Sequence, residues 1–360
     1  MAGGQSVSLQ HFRASGFRCL SEVDLAPDPT LNLFTGPNAS GKTSLLEGIF
    51  YLGRGRSFRA SGNRELIQAG QKGFTLFGDV TFAEESHRTG VEVGIGRRQV
   101  RVDAENGNGA DLARLLPVQA IDPEVHELIQ GGPEYRRRFL DWGVFHVKQA
   151  FLESWRRYQK ALRQRNAALR QGDNEQAVRA WDTELAEHGE AVDQYRSEYL
   201  EDYLPLFSSI IHEKLPFEAI CTYKRGWSPK TGLAEALQDS WDRDRTFGST
   251  QAGPHRADLL LEVHDRRARH RVSRGQQKML AASLVISQTR HVAAKGNDRL
   301  VLLVDDPAAE LDRDNRERLF EMLHEMPAQM FVTALEPEDL PWSAQGEMFH
   351  VEHGKVSPLL

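Results

Sequence analysis

The chain has 360 residues, 40% of them hydrophobic and 27% charged, the balance of a globular protein long enough for two domains. Its 45 basic and 51 acidic residues give a net charge of −6, which excludes a uniformly basic nucleic-acid coat and leaves any DNA contact to local patches. Cys19 and Cys221 offer neither a disulfide framework nor a metal spacing and fit a reducing cytoplasm.

Residues 1–6 lack the basic start and apolar run of a signal peptide, and no apolar stretch is long enough to span a bilayer. Val7 and Leu9 alternate with polar neighbours as a strand does. Leu31-Asn32-Leu33-Phe34 then leads into a glycine-rich turn. Strands are predicted again over 74–104, from Phe74, Leu76, Phe77, Val80, Phe82, Val91, Val93 and Ile95, with a turn at 107–109.

The middle of the chain changes period. Phe151, Trp155, Tyr158 and Leu162 recur at spacings of four and three, as do Trp181, Leu185, His188, Val192, Tyr195 and Tyr199. Two amphipathic helices joined by a turn at 171–174 follow, with the aromatic stripe as their seam rather than a binding face. Strands return at 258–263 and 299–304. The fold expected is α/β, with a head formed by 1–120 and 247–360 and a helical arm over 121–246.

Gly36-Pro37-Asn38-Ala39-Ser40-Gly41-Lys42-Thr43 fits the phosphate-loop pattern at every fixed position, and Ser44 follows it. The glycines let backbone N–H groups turn towards phosphate oxygens, and the next helix adds its positive end. Lys42 would reach the β- and γ-phosphates of ATP, and the Thr43 hydroxyl would ligate Mg²⁺. The run 300–304 is apolar and ends in Asp305 and Asp306, at the strand end where α/β sheets bind ligands. Asp305 would hold Mg²⁺ and Asp306 would polarise the attacking water.

Ser273-Arg274-Gly275-Gln276-Gln277-Lys278 precedes an apolar helix and carries an S-x-x-Q capping pattern. It also resembles a variant of the ABC-ATPase signature, with Arg274 in place of a glycine. Together with the acidic run Asp305 to Asp312, the segment 249–259, the segment 141–146 and Gln119 in 117–123, it resembles the RecF family over nearly the whole chain. The resemblance implies an ABC-type P-loop ATPase head with an inserted helical arm, related to SMC heads.

Carried over residue by residue, the resemblance makes Gln119 a sensor of Mg²⁺ and γ-phosphate and places Asp312 at a dimer interface. Ser273, Gly275 and Gln276 would face the nucleotide of a second copy. Arg13 would lie near adenine or ribose, against the alternative of an ordinary surface arginine. Two departures stand out. Asp306 occupies a place where most ABC ATPases have Glu, which fits slow turnover, and Thr333 stands where many have a switch histidine. The family further implies an ATP-dependent homodimer gripping gapped or junction DNA. It also implies weak DNA-stimulated ATPase activity, partners of the RecO and RecR type, and roles in replication restart and SOS induction.

Arg54, Arg56, Arg59 and Arg64, then Arg136-Arg137-Arg138, then Arg156, Arg157, Lys160 and Arg163 are basic clusters that would suit DNA phosphates or stand as solvated faces. His255 in Gly253-Pro254-His255-Arg256 favours a structural or interface role, since no nucleophile partners it. No zinc-protease, hydrolase-elbow or dinucleotide motif occurs. Rival readings are an SMC-type head, a transporter ATP subunit and an ATP-binding module that does not hydrolyse. Against the SMC reading, the arm helices share only about 50 residues, so that neither would exceed roughly 40 Å.

Overall fold

The computed structural model describes residues 7–296, 300–342 and 346–359. The chain forms two compact units, 1–125 with 274–360, and 126–273.

The first unit opens with β1 (Val7–Phe17), β2 (Leu20–Leu25) and β3 (Leu31–Thr35), followed by α1 (Lys42–Arg54). Next come β4 (Gly73–Phe82), β5 (Glu85–Gly94), β6 (Arg97–Val102), β7 (Glu105–Asn106), α2 (Gly109–Leu115) and β8 (Val118–Ile121). The strands expected over 74–104 are present, except that Ile95 lies in the β5–β6 turn and is 84% exposed. Asn108 caps α2 by accepting from the Ala110 N–H.

The second unit holds α3 (Glu127–Gln130), α4 (Pro133–Val147), α5 (Phe151–Gln171), α6 (Glu175–Arg179) and α7 (Asp182–Lys214), then β9 (Ile220–Lys224), α8 (Leu233–Asp239), α9 (Trp241–Phe247), β10 (Asp258–Val263) and β11 (Arg266–Arg267). Helices α5 and α7 pack along each other, with Phe151, Tyr158, Leu162, Leu185, Val192 and Tyr199 buried, so the aromatic stripe is a packing seam. Helix α7 exceeds the length the sequence suggested. Its 33 residues amount to roughly 50 Å, because it continues through Pro205 to Lys214.

The arm was expected to end at 246, but β10 pairs with β9 inside the second unit. Arginines hold the intervening segment there. Arg165 reaches Asp244 and Thr250, Arg196 reaches the Pro254 carbonyl, Arg137 the Ala257 carbonyl and Arg136 the Asp258 carboxylate. His255 accepts from the Tyr158 hydroxyl at 2.5 Å and donates to the Thr250 carbonyl at 2.9 Å, a structural role.

The chain returns to the first unit with α10 (Arg274–Ala294), β12 (Leu300–Val304), α11 (Arg313–His324), β13 (Ala328–Ala334), β14 (Glu347–Glu352) and β15 (Lys355–Pro358). The expected strand 299–304 is β12; Arg299 lies outside the described residues.

Two six-stranded sheets result. One is antiparallel, in the order β2-β1-β4-β5-β6-β7. The other, β15-β14-β3-β13-β12-β8, is parallel from β14 to β8, with β15 antiparallel at its edge. β3, β12 and β13 are buried along their whole length, β12 as an unbroken apolar run and β3 and β13 with Asn32 and Gln329 hydrogen-bonded inside. Helix α1 contacts both sheets, and Leu45, Leu46, Ile49 and Phe50 belong to a single core with Phe12, Leu76, Leu303 and Phe331. This packing fixes the end of α1 beside the carboxyl ends of β3, β12 and β13.

Candidate nucleotide-binding site

The loop between β3 and α1 can close only because its glycines carry no side chain. Gly36 has φ +144°, and a Cβ there would lie 2.2 Å from the Val351 carbonyl oxygen. Gly41 has φ +118°, and its Cβ would lie 3.2 Å from the Cys19 Sγ. The turn of the β14–β15 hairpin buttresses the loop, with the Gly354 N–H donating to the Ser40 carbonyl at 2.8 Å. Cys19 donates to the Ser44 hydroxyl at 3.4 Å.

Lys42 folds back over the loop, its Nζ donating to the carbonyls of Gly36 at 2.5 Å and Pro37 at 2.9 Å. Burial lowers its pKa, opposed by Asp306 and Asp305. The Ser40 hydroxyl is buried without a hydrogen-bond partner among the described residues. A cradle barred to side chains, an orphaned hydroxyl and an ammonium resting on its own loop fit a triphosphate. Pro37, Asn38 and Ala39 complete the loop, Ala39 in a left-handed conformation.

Asp305 is the centre of the acidic end. Thr43 donates to one carboxylate oxygen at 2.8 Å and Thr333 donates to the other at 2.7 Å. Thr333 also accepts from the Asp306 N–H at 2.9 Å. Thr333 is fully buried, so its hydroxyl orients the acid pair from beneath. Asp306 is half-buried with φ +48°. Burial raises its pKa, Lys278 opposes that rise and the neighbouring Asp305 adds to it. Among the described residues, no three His, Cys, Asp or Glu side chains form a metal cage. A divalent ion would therefore take Thr43, Asp305 and phosphate oxygens as ligands.

Two expected residues are placed elsewhere. Gln119 lies within β8 opposite Leu302, three residues before the level of Asp305, or roughly 10 Å along the strand. It is buried and donates to Gln288 on α10, so the structure does not bring it to Thr43 and Asp305. The residue at the Asp305 level is Asp122, since the Asp305 N–H donates to the Ile121 carbonyl at 2.9 Å. Asp122 likewise follows a strand end, but β8 carries Gln119 and lacks the unbroken apolar run that marks Asp305. Arg13 is exposed and bonded to Asp24 across β1 and β2 at 3.0 Å, an ordinary surface pair. The part of that hairpin that reaches the loop is the turn at Cys19.

Ser273 is exposed, and α10 begins after it with Gly275 near the Glu310 carbonyl. Gln276 is half-buried on the first turn. Asp312 caps α11, accepting from the Asn315 N–H at 2.8 Å. Lys278 joins these parts. Its Nζ donates to the Ala309 carbonyl at 2.7 Å and the Asp306 carbonyl at 3.4 Å, with Asp306, Glu310, Asp305 and Asp122 as its charged neighbours.

Among the described residues, no helix is long and apolar enough to cross a membrane. The family model of the RecF/RecN/SMC N-terminal domain matches residues 8–355. The DNA replication and repair protein RecF of Azotobacter vinelandii is 41% identical over 360 residues, 98% of each chain. RecF of Chromohalobacter salexigens is 41% identical over 361 residues, 97% of this chain and 99% of that one. The recombination mediator protein RecF of the RecFOR pathway, solved as RecF-ATP, superposes with a TM-score of 0.89 at 26% identity, over 100% of this chain and 99% of that one. The Smc head of Pyrococcus furiosus shares the fold, with a TM-score of 0.59 at 16% identity over 98% and 96% of the two chains. With an ABC-type P-loop head, an inserted helical arm and this similarity from end to end, the chain belongs to the RecF family of DNA replication and repair proteins.

Proposed function

We propose that this protein is an ATP-dependent DNA-binding ATPase of recombinational repair, using slow hydrolysis as a switch. One observation carries the reading. Thr43 at the start of α1 and Asp305 at the end of β12 meet at 2.8 Å beside a glycine cradle. A hydroxyl and a carboxylate at one point are what a magnesium ion on a nucleoside triphosphate requires. Bound Mg²⁺–ATP supplies a γ-phosphoryl group open to attack by water.

The chain's own residues supply the rest. Backbone N–H groups of 38–43 and the Lys42 ammonium bind phosphate oxygens. Thr43 and Asp305, now bonded to each other, would be the residues that hold the metal. Asp306 holds the attacking water and takes its proton. Its side chain is one methylene shorter than the usual glutamate and reaches less far towards the water, consistent with slow turnover.

Two copies close face to face, each phosphate loop meeting Ser273, Gly275 and Gln276 of the other copy, with Asp312 at the interface. ATP contacts made only in the closed dimer strengthen the hold on DNA by linkage. Gapped DNA and single-strand/double-strand junctions are the substrates. Partners of the RecO and RecR type are supported by the pathway named for the RecF relatives. Replication restart and SOS induction in the cytoplasm complete the reading.

Sedimentation of the protein with and without ATP and gapped duplex, beside Lys42→Met, tests this. Wild type dimerises and gains DNA affinity only with ATP, and Lys42→Met does neither. Oligomeric state and DNA binding indifferent to ATP would remove the switch. Single-turnover hydrolysis abolished by Asp305→Asn separates an ATPase from a module that only binds ATP.

A further inference from the structure

We infer that the groove between the loop 55–67 and the β5–β6 turn is the surface on which the first unit holds the DNA phosphate backbone. The inference rests on the DNA-binding reading above and adds its location.

The groove encloses about 380 Å³ and is lined by Asn63, Arg64, Ile67 and residues 94–98, including Arg97 and Arg98. Among the described residues that line it, three of eight are arginines and none is a carboxylate, in a chain where acids outnumber bases. Arg56 and Arg59 are exposed on the same loop. Arg54 is not part of the surface, because its guanidinium turns inward over the Phe50 ring, 5.3 Å from the centroid.

The loop is held from below, so its arginines are presented in a set order. Buried Glu47 on α1 takes two bonds from Arg18, at 2.8 and 2.9 Å, and a third from Ser57. The Ser57 oxygen accepts from the N–H groups of Arg59 and Ala60. Tyr51 donates to Asn63 at 3.0 Å, and the Arg98 guanidinium sits 5.7 Å from the centroid of the Tyr51 ring. Fixed guanidinium groups lose less entropy on meeting phosphates than free ones do.

Of the other basic clusters, the first is held inside the second unit, with Arg136 and Arg137 bonded to Asp258 and the Ala257 carbonyl. On α5, Arg157 pairs with Glu153 at 3.0 Å while Lys160 and Arg163 are exposed, so that cluster is the comparison the test needs. Exposed Ile95 stands at the lip of the groove between Gly94 and Gly96. An apolar side chain beside arginines suits a junction, where an unstacked base offers it a face.

The test is fluorescence anisotropy of a labelled gapped duplex over a range of salt concentrations, in the presence of ATP. The double variant Arg64→Gln/Arg97→Gln should bind at least 10-fold more weakly at moderate salt. The slope of log affinity against log salt should fall by roughly 2, near 0.9 per lost phosphate contact. Its melting temperature and its binding of a fluorescent ATP analogue should match wild type, since neither side chain touches the phosphate loop. Arg156→Gln/Arg163→Gln, on α5 of the second unit, should leave the slope unchanged. A wild-type slope in the groove variant, or a loss confined to the α5 variant, overturns the assignment while leaving ATP-dependent DNA binding intact. Absence of DNA binding by wild type overturns both.

Discussion

Thr333 and Asp305 share a buried hydrogen bond of 2.7 Å, and the same hydroxyl accepts the Asp306 N–H, so one side chain orients both acids. Thr333→Val keeps the shape but leaves a buried N–H and a carboxylate oxygen unpaired, costing about 1–3 kcal/mol of stability. ATP turnover should fall about 10-fold as the carboxylates lose their alignment, while nucleotide binding is kept. Thr333→Ser should restore both. Normal turnover in the valine variant, measured by phosphate release, would remove this positioning role.

Lys278 adds positive charge beside Asp306 and so lowers the pKa that burial raises. Without it, Asp306 takes up a proton at higher pH. The acid limb of the kcat–pH profile should therefore move to higher pH in Lys278→Met and return towards wild type in Lys278→Arg. A variant with lower kcat and an unmoved limb would restrict Lys278 to holding the 306–309 turn.

Glu47 is fully buried and its carboxylate joins Arg18 and Ser57, which ties α1 to the β1–β2 turn and to the arginine loop. Glu47→Ala strands the Arg18 guanidinium and should cost about 3 kcal/mol in denaturant unfolding. The arginine loop should also become sensitive to trypsin.

His255 is held neutral, its pKa pushed down to about 4 chiefly by burial. An unfolded histidine takes a proton below about pH 6.5. The unfolded state then binds more protons than the folded one, and stability falls as pH drops from about 6.5 towards 4. Between pH 7 and pH 5 the loss is about 2 kcal/mol. His255→Gln should flatten that part of the stability–pH curve. An unchanged slope would place the effect on another group.

The phosphate loop, the acidic strand end, the helical hairpin and the α/β class were all legible in the sequence. Each depends on local chemistry: glycines where φ is positive, an apolar run closed by carboxylates, a period of 3.6. Gln119 shows where local pattern stops. Its type suited a metal sensor, but its register against Leu302 leaves it buried beside Gln288, and that register is set by pairing between strands far apart in the chain. The fate of the basic clusters was equally invisible. Arg136 and Arg64 are alike as letters, yet one is bonded to Asp258 inside the second unit and the other lines an open groove. Sequence by itself determined which chemistry the chain carries. Tertiary structure decided which of those groups are free to meet a ligand, because burial and pairing depend on what distant segments bring alongside.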